Sequence, residues 1–319
     1  MYKILTSRGL GVAQKQNELM ELALTHNFKA VEVDMVDLVG RHDALGKQFA
    51  CQFLQSAKID LGTFRLPLDF GSLNETYDEQ MTKLDTILDL AQTLNSKCCY
   101  VVVDTNNENY SFQECFELYQ RRLQDIAEKF EPTGIKIGLL LRASNAKEAD
   151  GNFKFIQTAE ELLTLVKAVA CDNVGVCLDA WEWVVGGGTV DHIVATGISK
   201  TVVELRLADL TPGAELDGIK TSQRTQLPGD TEGSFSIELM KAVLADSADF
   251  PISVSTDSAT YSRGSTDRNV AALSKQLDLL LEGKEPYKVK LEEEAAKAAE
   301  ADEKENAEQG DKKTPVKSK

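Results

Sequence analysis

The chain has 319 residues, of which 42% are hydrophobic and 27% charged, and its formal net charge is -16 at pH 7. This composition is typical of a globular protein, and the length allows one large α/β barrel or two smaller domains. The negative charge argues against nucleic-acid binding, the lack of a long apolar run argues against a membrane span, and three histidines exclude a histidine-rich metal cluster.

The cysteines and the N-terminal stretch suggest the cellular setting. The six cysteines show neither a CxxC pair nor metal-ligand spacing, and most lie in apolar segments. We interpret them as reduced core thiols of a cytoplasmic protein. The polar stretch from Met1 to Ser7 is predicted to be a first strand and not a signal peptide.

Strand patterns alternate with helical patterns about eight times along the chain. The predicted strands are Tyr2–Thr6, Ala30–Met35, Ile59–Phe64, Cys98–Val103, Ile135–Leu141, Val174–Leu178, Thr201–Leu207 and Pro251–Ser255. The clearest predicted helices are Asn17–His26, Asn74–Leu94, Phe112–Phe130, Thr158–Ala170, Ser234–Leu244 and Asp267–Leu281. Strands separated by helices pair in parallel, so the pattern predicts a (β/α)8 TIM barrel. A doubly wound sheet is the alternative, but no GxGxxG motif follows the first strand.

Two features refine this prediction. Asn74 and Thr158 are predicted helix caps, and Thr158 with Glu161 fits a capping box. The composition changes after Gly283, so residues 1–283 are predicted to form the barrel. Residues 284–319 are rich in Glu, Lys and Ala and are predicted to form a disordered charged tail, with at most a transient helix.

The most informative stretch runs from Val174 to Trp183. Val174, Val176 and Leu178 alternate with Gly175, Cys177 and Asp179, and a strand places these two sets on opposite faces. The bulky set suits packing against helices, whereas the small set suits a crowded barrel interior. The strand therefore delivers the Asp179 carboxylate to the end of the barrel where TIM barrels carry their sites.

The seventh strand carries two charges, Glu204 and Arg206, on the face that should point into the barrel. Buried charges need partners because unpaired burial is costly. Two interpretations stay open: a structural ion pair that fills the barrel, or an Arg206 that projects from the rim to bind an anion.

The motifs at the strand ends resemble those of the xylose isomerase-like TIM barrels, the superfamily of sugar phosphate isomerases and epimerases. The resemblance covers roughly residues 1–283. It is carried by Ser7-Arg8-Gly9-Leu10-Gly11, Phe64-Arg65-Leu66-Pro67, Leu178-Asp179-Ala180-Trp181-Glu182-Trp183, Gly187-Gly188-Thr189, Leu207-Ala208-Asp209 and Gln226-Leu227-Pro228-Gly229-Asp230-Thr231-Glu232-Gly233.

The resemblance implies a divalent metal at the barrel mouth, held by a Glu, an Asp, a His and a second Glu from strands five to eight, with the two Glu residues moving the proton. Only the Asp is present, as Asp179. The other three positions are Leu140, Arg206 and Ser255, and the place that often holds a further His is Glu182. We therefore expect no metal cofactor. We expect Arg206 to take the metal's place and to pair with Asp179 or Glu182.

The favoured hypothesis is an isomerase-like barrel whose site residues are those of a pseudoenzyme, and which binds a small polar or anionic metabolite or a partner without isomerising it. The contributing side chains would be Arg8, Arg65, Arg142, Trp181, Arg206, Asp209, Arg224 and Ser255. Alternatively, these arginines pair with Asp34, Asp104, Asp209 and Asp257, and the tryptophans are loop packing. The loops Ala143–Asn152 and Pro212–Thr231 are candidate lids.

A second hypothesis keeps catalysis. A sugar isomerase or epimerase acting on a small carbohydrate would use a carboxylate pair such as Asp179 and Glu182, or Glu182 and Glu204, as acid and base, and Arg206 as the electrophile. A third hypothesis, a structural or interaction protein that works through the tail, has no specific sequence feature in its favour. A metal-dependent endonuclease of the same fold is disfavoured by charge and histidine content.

Overall fold

A closed parallel barrel accounts for most of the chain. The computed structural model of the protein describes residues 1–7, 15–146, 152–244, 249–256 and 265–311, without the side chains of residues 145, 198, 199 and 302–311. Eight parallel strands follow one another in the order β3-β2-β1-β8-β7-β6-β5-β4. Their bounds are β1 Tyr2–Leu5, β2 Ala30–Val31, β3 Asp60–Leu61, β4 Cys98–Val102, β5 Lys136–Leu140, β6 Val174–Asp179, β7 Val202–Leu207 and β8 Pro251–Val254.

The two ends of the sheet meet through a parallel bridge between Arg65 and Tyr100. The Tyr100 backbone donates to the Phe64 carbonyl at 2.9 Å and accepts from the Leu66 amide at 2.8 Å. The predicted (β/α)8 barrel is therefore confirmed. A separate antiparallel pair, Asn106–Asn107 with Phe153–Lys154, lies outside it.

Helices connect and surround the strands. Their bounds are α1 Gln16–Thr25, α2 Met35–Leu45, α3 Lys47–Ala57, α4 Asn74–Met81, α5 Leu84–Thr93, α6 Phe112–Phe130, α7 Ala159–Val169, α8 Ala180–Val185, α9 Val190–Thr196, α10 Phe235–Leu244, α11 Thr266–Leu281 and α12 Pro286–Asp311. Within the described residues, none of these helices is both long and apolar enough to cross a membrane.

Several local predictions are confirmed, and others are corrected. Thr158 caps α7 in a capping box with Glu161. Asn74, in contrast, is the first helical residue and not a cap, because its side-chain oxygen accepts from Arg122 at 2.9 Å. The single helix predicted over Asn74–Leu94 is two helices, α4 and α5, and the predicted second strand ends early because Asp34 caps α2.

The alternation predicted for β6 is observed. Val174, Val176 and Leu178 pack in the main core between strands and helices. Cys177 faces the barrel interior with Tyr100 and Leu140. The small residues are needed there: a Cβ added to Gly175 would overlap the backbone carbonyl of Thr201.

The chain beyond Gly283 differs from its prediction. Residues 286–311 form the helix α12, where composition predicted a disordered tail. The helix begins on the barrel: the Tyr287 amide donates to the Gly229 carbonyl at 2.9 Å, and Glu285 pairs with Lys241 at 2.9 Å. Its residues 290–301 are exposed, which agrees with the absence of an apolar face, and the last residues of the predicted tail, 312–319, lie outside the described residues.

Candidate functional site

Asp179 connects a strand and a helix at the mouth of the barrel. It is the last residue of β6, and its side chain caps α8 by accepting from the backbone amides of Trp181 and Glu182, each at 3.2 Å. The side chain of Asp179 is 2% exposed. Its position is therefore fixed by the strand on one side and by the helix N-terminus on the other.

Arg224 holds Asp179 and Glu182 together. One terminal guanidinium nitrogen donates to Asp179 Oδ2 at 2.9 Å and to the carbonyl and hydroxyl of Ser255 at 3.0 and 3.1 Å. The other donates to Glu182 Oε1 at 2.7 Å. Arg224 reaches this place from the long loop between β7 and α10. The candidate lid over residues 212–231 therefore supplies a buried cation to the mouth.

The predicted partner of Arg206 is wrong. Arg206 pairs with neither Asp179 nor Glu182. It makes a two-point ion pair with Glu204, from Nε to Oε1 at 3.0 Å and from Nη2 to Oε2 at 2.9 Å. Its guanidinium also lies 4.0 Å from the centre of the Tyr100 ring. Of the two interpretations of this strand, the structural pair inside the barrel is the one observed.

The protonation of this centre follows from its ion pairs. Burial alone would raise the pKa of Asp179, but the guanidinium groups of Arg224 and then Arg142 more than offset it and hold that pKa below its ordinary value. Burial lowers the pKa of the Arg206 guanidinium, but the acidic groups around it, including Glu204, hold it above its ordinary value. Asp179 and Arg206 are thus charged at neutral pH.

Glu182 is fully buried and has several donors. It accepts from the amide and the hydroxyl of Ser144 at 2.9 and 2.8 Å, in addition to Arg224. Arg142 lies 3.5 Å from Glu182 and is 21% exposed. Burial, the largest influence on Arg142, lowers the pKa of its guanidinium. Among the described residues of this half of the mouth, three carboxylates (Asp179, Glu182 and Glu204) and three guanidinium groups (Arg142, Arg206 and Arg224) thus balance one another.

The two tryptophans and Asp209 make their contacts within the protein and support the site. Trp181 is fully buried, packs with Ala208 and Ile219, and lies with its ring 4.6 Å from the Arg224 guanidinium. Trp183 donates to the Thr189 carbonyl at 3.1 Å. Asp209, expected to bind a ligand, is 2% exposed, and both of its oxygens accept backbone amides, from Gly229 at 2.7 Å and from Ser236 at 2.9 Å.

The remaining expected ligand residues do not join this cluster. Arg65 is exposed and lines a cavity of about 590 Å³ at the ends of β1 to β4. Within the described residues it pairs with none of the expected carboxylates. Arg8, Asp257 and part of the candidate lid over residues 143–152 lie outside the described residues.

Asp104, at the end of β4, lines the same cavity and is the most perturbed acid there. Burial raises its pKa to about 6, against the lowering effect of a hydrogen bond from the Tyr119 hydroxyl at 2.8 Å. Asp69 raises this pKa further, and Arg65 lowers it. The carboxyl group therefore changes its charge near pH 6.

A divalent metal does not fit the residues of the strand-six to strand-eight half. Asp179 and Glu182 already share a guanidinium at hydrogen-bond distance, and a permanent cation there opposes a metal ion. The neighbouring positions supply Leu140, which is apolar, and Arg206. Across the described ranges, no group of three or more His, Cys, Asp or Glu residues is arranged to hold a metal ion.

Sequence reasoning named Arg224 as a ligand residue but missed its role as the partner of Asp179. The two residues are 45 positions apart, and Arg224 lies in a loop without periodicity. The available signal was indirect. Asp179 and Glu182 are two acids close in sequence, and the barrel mouth lacks the other metal ligands. They therefore need a cation from elsewhere in the chain.

The comparisons with known proteins agree on the fold. The sequence profile of the family described as xylose isomerase-like TIM barrel matches residues 20–264. No curated protein sequence is significantly similar to the chain. A xylose isomerase domain protein from Alicyclobacillus acidocaldarius subsp. acidocaldarius is 16% identical with a TM-score of 0.75, over 89% of this chain and 99% of that one.

Two further solved structures are similar. The IOLI protein with a binding zinc atom is 16% identical with a TM-score of 0.70, over 88% of this chain and 98% of that one. D-Psicose 3-epimerase with D-tagatose, from Clostridium cellulolyticum H10, is 13% identical with a TM-score of 0.66, over 89% of this chain and 100% of that one. At these identities the likeness concerns the fold.

Proposed function

Since this chain belongs to the xylose isomerase-like TIM barrel family, we propose that it binds a small polar metabolite at the barrel mouth without the metal-assisted isomerisation of its relatives. The observation that carries this proposal is the guanidinium of Arg224, which joins Asp179 and Glu182. These two acids are the ones a metal in this half of the mouth would need, and Arg224 neutralises both of them.

The proposal also rests on what stands at the proton-transfer positions. Leu140 and Ser255 occupy the places where the family resemblance implies glutamates, and neither side chain can exchange a proton with a carbon acid at neutral pH. Leu140 is part of the apolar barrel interior. The open space of the mouth lies beside β1 to β4, away from these positions. A ligand can therefore bind there without proton transfer by the residues at positions 140 and 255.

The alternative, isomerisation through non-standard carboxylates, has less support. It needs Arg206 as the electrophile, but the Nε–Nη2 edge of Arg206 is paired with Glu204 and its guanidinium lies against the Tyr100 ring. It also needs an acid whose pKa lies near neutrality. The pKa of Asp179 is instead held low by Arg224 and Arg142 against the effect of burial.

The charge balance bears on the kind of metabolite. An anionic ligand was expected because the rim carries several arginines. Arg206 and Arg224 are committed to carboxylates at 2.7 to 3.0 Å, and Arg142 lies 3.5 Å from Glu182. Binding an anion at Arg142, Arg206 or Arg224 would require breaking these pairs. We therefore propose a polar ligand and no longer favour an anionic one.

Metal binding tests the proposal directly. Mn²⁺ is titrated into the wild type and into Asp179→Ala, and bound metal is followed by electron paramagnetic resonance, with Asp43→Ala as a control for surface carboxylates. We expect the three proteins to bind Mn²⁺ equally weakly. A single tight site in the wild type that Asp179→Ala abolishes and Asp43→Ala retains would overturn the proposal and make sugar isomerase assays the next step.

A further inference from the structure

The cavity at the ends of β1 to β4 has the form of a small-molecule site. Its volume is about 590 Å³, within the usual range of such sites. Its apolar lining includes Leu66, Phe70 and Tyr119, which are at most 1% exposed. None of the three arginines of the Asp179 cluster lines it. The cavity also opens at the barrel end where ligands bind in this architecture.

The charges that line this cavity are predominantly negative. Among the described residues that line it, four carry carboxylates, Glu32, Asp34, Asp69 and Asp104, and one carries a cation, Arg65. Asp104 accepts from Tyr119, and its like-charged neighbour Asp69 disfavours its ionised form. The lining therefore favours a cation over an anion, unlike the balanced charges around Asp179.

Asp69 and Asp104 come together at one point of the chain, Gly71. Asp69 Oδ1 accepts the Gly71 amide at 3.1 Å, and a Cβ added to Gly71 would overlap Asp104 Oδ2. Asp69 Oδ2 and Asp104 Oδ1 each accept no hydrogen bond from the described residues. The cavity thus offers two carboxylate oxygens, one from each aspartate, that have no donor among the described residues and that a ligand can satisfy.

We infer that this cavity binds a small polyhydroxylated amine of the amino-sugar class, with its ammonium group between Asp69 and Asp104. An ammonium carries three donors and no acceptor, which matches the open carboxylate oxygens. The hydroxyl groups match the remaining acceptors of the lining, and the sugar ring covers the apolar residues. This inference names the ligand class for the binding function proposed above and rests on it.

The inference has a pH signature. Four charged or titratable groups among the described residues face Asp104: Asp69, Arg65, Tyr119 and the thiol of Cys115, whose pKa burial raises to about 12. Burial and Asp69 raise the pKa of Asp104 to about 6, so the group is charged at pH 7.5 and largely neutral at pH 5. A ligand cation is attracted by the charged form only. Affinity for an amine should therefore fall from pH 7.5 to pH 5, whereas affinity for a neutral sugar should change little.

The test compares three probes that share one scaffold: D-glucosamine, D-glucose and D-glucose 6-phosphate. Their binding to the full chain is measured by ligand-observed NMR and by calorimetry at pH 7.5 and pH 5. We expect glucosamine to bind about tenfold more tightly than the other two at pH 7.5, which corresponds to the attraction of one partly exposed carboxylate. Asp104→Asn, which preserves the shape of the side chain, should remove this preference.

Asp85→Asn is the matched control, because Asp85 is an exposed aspartate on α5 that does not line the cavity. It should leave the preference intact. Equal binding of glucosamine and glucose, tighter binding of glucose 6-phosphate, or no binding at millimolar concentration would each overturn the inference. None of these results involves Mn²⁺. The inference can therefore fail while the proposed loss of metal-assisted isomerisation stands, and a tight Mn²⁺ site can overturn that proposal whatever the sugar probes show.

Discussion

Replacing Arg224 with methionine should destabilise the protein by about 3 kcal/mol at pH 7. Arg224 is 5% exposed and pairs with Asp179 and Glu182. Removing one partner of a buried ion pair costs roughly 3–5 kcal/mol because the other charge stays buried. The lower end applies here, since Asp179 keeps two backbone amides and Glu182 keeps the two donors of Ser144.

The loss should depend on pH in a defined direction. In the wild type the pKa of Asp179 is held below its ordinary value, against the effect of burial, by Arg224 and Arg142. Its ionisation therefore stabilises the fold above the unfolded pKa, and this contribution is lost as the pH falls through the folded pKa. Without Arg224, burial disfavours the ionised form of Asp179, and protonation of Asp179 at low pH removes this unfavourable charge. The difference between wild type and variant should thus shrink from pH 7 towards pH 4.

Urea denaturation followed by circular dichroism measures both effects, and heating gives a second readout. With about 2.1 cal/mol/K of unfolding entropy per residue, 3 kcal/mol lowers Tm by roughly 5 °C for a chain of this length. Arg41→Met is the control, because Arg41 forms an exposed pair with Asp37 and should cost less than about 0.5 kcal/mol. A loss below about 1 kcal/mol for Arg224→Met, or one that is the same at pH 4 and pH 7, would refute the reasoning.

Three further outcomes are expected from urea denaturation. Removing either Glu204 or Arg206 alone should lower the free energy of unfolding by roughly 3–5 kcal/mol, and replacing both with apolar residues of similar size should lower it much less. Equal losses for the single and double variants would contradict a buried pair. Asp209→Ala should cost about 2–3 kcal/mol, because two buried backbone amides lose their acceptor, and a neutral effect would exclude that role. Gly175→Ala should prevent native folding or cost more than about 4 kcal/mol. Gly40→Ala, in a helix with open space around it, is the control and should stabilise the protein by about 0.5–1 kcal/mol. A tolerated Gly175→Ala would contradict the strand spacing.

The barrel could be predicted because its signals are local. On β6, the alternation of Val174, Val176 and Leu178 with small residues follows from the two-residue period of a strand, and the structure places both sets as expected. The capping box of Thr158 is equally local. Prediction failed where a short polar signal overrides an apolar run, as at Asp34, whose side chain turns the end of the second predicted strand into the start of α2.

The candidate site could be predicted only in part, because its contacts are not local. The inward direction of Glu204 and Arg206 follows from strand geometry, and their pairing is between neighbours on one face. The partner of Asp179 depends on how a loop folds back over 45 residues, which the period of a strand or helix does not encode. The acidic lining of the cavity likewise combines residues from β2, β3 and β4 ends that are far apart in sequence.

The loop that carries Arg224 also contains a natural reporter of its own docking. Lys220 is exposed on this loop, whereas Arg224, four residues later, is buried under its ion pairs. Trypsin cleaves after both residue types but needs an accessible segment. Cleavage after Arg224 therefore requires the loop to leave the barrel mouth, and at low trypsin concentration its rate in an otherwise intact chain follows the fraction of molecules in which the loop has opened.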